Sequence, residues 1–83
     1  MMESFFITTR GETARAAFDR LQKRSGMADY QDFSLAWVPQ GQPPREFASG
    51  LVRRRDARMI PNKVAGCVSI SDDEWLFFGW RPA

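Results

Sequence analysis

Four arginines fall within the eleven residues Gly50–Ile60, at Arg53, Arg54, Arg55 and Arg58, and Lys63 follows close behind. Guanidinium groups at this density suit phosphate or carboxylate, because each presents a planar fork of donors and stays charged. On a helix Arg54 and Arg58 stand at i and i+4 with Arg55 one position round, an edge that Lys63 extends and that could track phosphates. The same edge could dock on an acidic protein surface, where arginine is a favoured contact. It could equally be the solvated side of a helix, with Glu46 and Asp56 as local ion partners worth little each. Reading of bases has weaker support. No Asn or Gln lies within 51–61 to pair with adenine, and zinc-finger, RNP and GXXG patterns are missing.

Enzymatic inventories fail on this chain. It holds no histidine, so neither a triad nor a base titrating near neutrality is available. The six glycines are scattered and form no phosphate-cradling loop. The single cysteine, Cys67, falls in an apolar run with nothing nearby in sequence to activate it, the pattern of an inert core thiol. Asp72-Asp73-Glu74 carries three carboxylates, but consecutive residues in a tight turn do not converge on a cation as a calcium loop does. We therefore expect no catalytic residues, no cofactor and no metal ligands.

The composition bounds the architecture. Eighty-three residues suit one domain spanning 1–83 with a modest core. One thiol makes no internal disulfide, so packing must hold the fold, and seven Phe, three Trp and one Tyr supply the material. The absence of cystines suits a reducing compartment, and no run of residues is apolar enough for a membrane span. A cytoplasmic protein is expected. Its net charge of +2 is unevenly spread: residues 45–63 carry +4, while 27–44 and 64–83 carry −2 each.

The elements that must position these groups can be read in order. Glu3–Thr9 reads as a strand with Phe5 and Ile7 on one face. Thr9-Arg10-Gly11-Glu12 matches a capping box, and a helix is expected to follow to about 25, its stripe made of Ala14, Ala17, Phe18 and Leu21. Gly26 marks its end. Phe33–Val38 reads as a second strand with Phe33, Leu35 and Trp37 on one face, stopped by Pro39 and the loop Gln40–Pro44. A helix over 45–57 is expected next, with a strand over Leu51–Arg55 as the competing reading because Gly50 weakens a helix. Val64–Ile70 and Trp75–Trp80 form an antiparallel hairpin about the turn 71–74. The last strand is apolar on both faces and should lie centrally or have a partner on one side.

The pattern β-α-β-α-β-β predicts an α+β fold: a small antiparallel sheet of about four strands, covered by one main helix, with a C-terminal hairpin. Phe5, Phe18, Phe33, Trp37 and Phe77 are the expected aromatic core, and Trp80 and Phe78 are expected to be half covered. The functional expectation is a small non-enzymatic protein, monomer or homodimer, that binds a protein partner by surface complementarity. In size and composition it is comparable to phage and mobile-element accessory inhibitors, anti-CRISPR proteins among them, that block nucleic-acid-handling complexes. The alternative is direct nucleic-acid binding through the basic stretch 53–63. The macromolecule-binding candidates are Arg53, Arg54, Arg55, Arg58, Lys63 and Trp80.

Overall fold

A computed structural model of the chain describes residues 2–24, 26–54 and 63–82. Six elements follow in order: β1 (Met2–Arg10), α1 (Ala14–Gln22), β2 (Asp32–Leu35), α2 (Pro44–Arg54), β3 (Val64–Ser71) and β4 (Glu74–Pro82). The four strands form one sheet in the order β1-β4-β3-β2. The fold is α+β, with the expected element order and the expected C-terminal hairpin. The sheet is mixed rather than wholly antiparallel. β4 runs antiparallel to β1 and β3, but β2 pairs parallel to β3, from Asp32 beside Val64 to Leu35 beside Cys67. The pairing is parallel because α2 intervenes between the two strands as a crossover, which returns the chain to the same direction.

β4 sits between β1 and β3, as its double apolar face requires. Phe77 points into one core with Phe5, Ala17, Phe18, Leu21, Ala65 and Cys67. Leu76 and Phe78 point into the other with Ala48, Val52 and Val68. The two helices, as expected in number, cover opposite faces of the sheet. On the α1 side three rings interlock: Phe18 lies 5.1 Å from Phe33 and 5.8 Å from Phe77, and Phe33 meets Phe77 edge-on at 6.1 Å. Such ring pairs add roughly 0.5–1.5 kcal/mol beyond the area they bury.

Of the stripe read from the sequence, α1 buries Ala17, Phe18 and Leu21, and Ala14 packs partly buried beside them. Its cap differs from the expected one. Thr13, not Thr9, accepts from the Ala16 amide, at 3.1 Å. Thr9 is unavailable because β1 continues to Arg10, paired with Glu74, and Thr9 itself is buried opposite Trp75. Strand pairing over these residues displaces the local cap. The segment between α1 and β2 is anchored in the core. Met27 is fully buried, Tyr30 stacks on Phe5 at 5.3 Å, and its hydroxyl donates to the Trp80 carbonyl at 2.6 Å.

Helix wins over strand for the stretch after Pro44. Ala48 and Val52, one turn apart, bury against Val68, Leu76 and Phe78, so tertiary burial outweighs the poor propensity of Gly50. Expected residues 55–57 of that helix lie outside the described residues. Gly50 has open space where a Cβ would stand, whereas a Cβ at Gly66 would strike the Phe78 ring that lies across it. Gly50→Ala should therefore raise stability by about 0.5–1 kcal/mol, and Gly66→Ala should lower it by about 1–3 kcal/mol, in urea unfolding. Equal effects of the two would contradict this packing.

Candidate functional site

Among the described residues β2 forms an edge of the sheet, and packing is incomplete there. Trp37, expected in the core, is 84% exposed, and Leu35 is 43% exposed. β2 ends at Leu35, short of the expected Val38, so Trp37 lies beyond the strand. Of Phe33, Leu35 and Trp37, the expected shared face, only Phe33 packs against the α1-side core. Leu35, Ala36, Trp37 and Val38 thus form one wall of an open groove of about 340 Å³, with Ser69 and Trp75 as the other wall.

Trp75 is a fixed wall. Its indole Nε1 donates to the Gly11 carbonyl at 3.0 Å, and the Gly11 amide donates to the Asp73 carbonyl at 3.0 Å. The β1–α1 loop, the 72–73 turn and Trp75 are therefore tied together. Trp37 has no comparable anchor among the described residues. Covering its ring would remove on the order of 200 Å² of mostly apolar surface, a gross gain near 5 kcal/mol at about 25 cal/mol per Å² before any association cost.

The backbone beside the groove is partly free. The amides of Asp32 and Ala36 face β3 and donate to the Lys63 and Cys67 carbonyls, at 3.3 and 2.8 Å. Strand alternation then turns Phe33 and Leu35 outward. The Phe33 amide is taken by the Asp32 carboxylate at 2.8 Å, which leaves Leu35 with an outward amide unpartnered among the described residues.

The charged candidates lie elsewhere. Arg53 is exposed in the last turn of α2, Arg54 closes that helix, and Arg55 and Arg58 fall outside the described residues. Lys63 is exposed at φ +73 in the turn before β3, with its carbonyl bound by Gln31 and Asp32. Lys63 precedes the first residue of β3 and Asp72 follows the last, so basic and acidic groups stand at opposite ends of that strand, about 25–30 Å apart. Trp80 is half-buried and packs in the α2-side core with Leu51 and Val52. Its indole nitrogen is buried without a partner among the described residues. The sequence reading did not single out Leu35 or Trp75 as surface contacts. Pro39 marked the end of this segment, but the strand stops earlier still, at Leu35, and leaves Trp37 outside it.

Among the described residues no group of three or more His, Cys, Asp or Glu could hold a metal ion. No described helix is long and apolar enough to cross a membrane. Cys67 is fully buried, and desolvation pushes its thiol up to about 12. No protein-family model matches the chain, and no curated protein or solved structure shows significant similarity to it.

The state of Cys67 has two measurable consequences. The native thiol should resist alkylation at neutral pH and react only on unfolding; rapid native labelling would contradict its burial. Its folded-state pKa lies above its unfolded value, so the folded chain holds the proton while the unfolded chain releases it. The associated stability is fully present below about pH 9 and is lost progressively toward about pH 12. Cys67→Ala should lose less stability than the parent across that window in chemical denaturation. Parallel losses would remove Cys67 as the cause.

Proposed function

We propose that the chain is a small non-enzymatic binding protein that docks on a protein partner by surface complementarity. The observation that supports this reading is Trp37, a large ring left almost entirely in water beside a groove with one anchored wall. A contiguous apolar patch of this kind on a small domain commonly marks an interaction surface. The chemistry of the chain agrees: it has no histidine, and its one thiol is buried and hard to ionise. Blocking of a nucleic-acid-handling complex, in the manner of phage or mobile-element inhibitors such as anti-CRISPR proteins, is the setting we propose. It rests on size and on the segregation of charge. A cytoplasmic location belongs to the same proposal and draws on the lone unpaired cysteine.

A second reading, direct nucleic-acid binding through Arg53, Arg54, Arg55, Arg58 and Lys63, is favoured by the exposure of Arg53 and Lys63 on either side of the arginine segment. Two measurements separate the readings. In a pull-down from nuclease-treated lysate, the parent chain should retain a partner that Trp37→Ala loses, while Arg53→Glu retains it. Retention by Trp37→Ala, or no partner after nuclease, counts against the protein-docking reading. Binding to mixed DNA and RNA at about 50 and about 200 mM salt tests the other. Five phosphate contacts would lose roughly 500-fold in affinity over that range, and no binding at the lower salt removes the nucleic-acid reading.

A further inference from the structure

The groove lies at the acidic end of the molecule. Ser69 and Trp75, which line it, belong to the strand pair that turns through Asp72 and Asp73, and both of those carboxylates are exposed. The turn is held in place from within, where the Ser71 hydroxyl meets Asp73 at 3.4 Å and Glu74 at 3.3 Å. Glu12, also exposed, follows the glycine whose carbonyl holds Trp75. Basic groups near this end point elsewhere. Arg10 alternates with Phe6 and Thr8 onto the α2 side, and Arg45 donates to Thr8 at 3.1 Å. On the groove's own side, Arg15 pairs with Asp32 at 3.6 Å and stands 4.9 Å over the Phe33 ring.

Three features thus converge on the same edge: two tryptophans facing an open groove, an outward amide at Leu35, and an acidic rim. Each selects a different property of an occupant. The edge amide suits an extended backbone that adds as another strand. Alternation along such a strand sends every second side chain, about 7 Å apart, toward the groove. Tryptophan faces beside carboxylates favour a cation with an apolar stem, which arginine and lysine both present. Resting on the docking reading above, we propose that the groove between Trp37 and Trp75 receives an extended protein segment carrying basic side chains, paired along the open edge of β2.

The test titrates the ¹⁵N-labelled full chain with a short peptide of alternating arginine and valine, and separately with its glutamate–valine counterpart. The arginine peptide should bind at least about tenfold tighter, with shifts at Leu35, Trp37, Ser69 and the Trp75 indole. Trp37→Ala and the double change Asp72→Asn, Asp73→Asn should each weaken it by about tenfold. Both variants alter exposed side chains and should keep the parent's circular dichroism. Equal binding of the two peptides, binding indifferent to Trp37→Ala, or self-association of the free chain that depends on Trp37 overturns the proposal. If the arginine peptide fails while Trp37→Ala still loses the lysate partner, the basic-segment inference falls and the docking reading stands.

Discussion

Everything in this fold answers to the two apolar faces of β4. Phe77 on one side and Leu76 with Phe78 on the other must both leave water, and no single covering layer can do that. The chain meets the constraint by placing β4 between two antiparallel neighbours and one helix on each face. Close approach of rings to the sheet depends on two glycines. Gly66 clears room for Phe78, and Gly79 lies under Phe5, where a Cβ would sit 3.2 Å from the ring. Bulky rings therefore lie flat on the sheet on both sides, which makes a thin layer of β-structure enough to separate two cores.

The same economy of material leaves a surface exposed. A nine-residue α1 covers Phe18, Phe33 and Phe77 but not the continuation of that face at Leu35 and Trp37. The exposed patch is bounded by an acidic turn, while Arg53 and Arg54 lie in the last turn of α2 and Lys63 stands just before β3. The proposed docking role belongs to the tryptophan end.

Much of the fold was legible in the sequence because it is written in local periodicity. The 3.6-residue stripe of α1, the hairpin about 71–74 and the double apolar face of β4 all appear as the residues imply. What the sequence hid depends on distant partners. Thr9 opens a capping-box pattern, but the pairing of β1 with β4 takes it into the strand, and Thr13 caps α1 instead. The parallel direction of β2 follows from where α2 returns the chain, and Trp37 is exposed past the end of β2 at Leu35. The candidate site was legible only in part. Lys63 and Arg53 are exposed as basic residues usually are, but Trp37 reads as core by type and alternation.

The central claim is that Trp37 is the contact surface rather than an incidental exposed ring. Its most direct measurement is indole accessibility to a photoexcited dye by NMR, residue by residue, in the free chain and in complex with its captured partner. The account predicts a strong Trp37 signal in the free chain, weak signals from Trp75 and Trp80, and loss of the Trp37 signal in the complex. A complex in which Trp37 stays as accessible as in the free chain would contradict it.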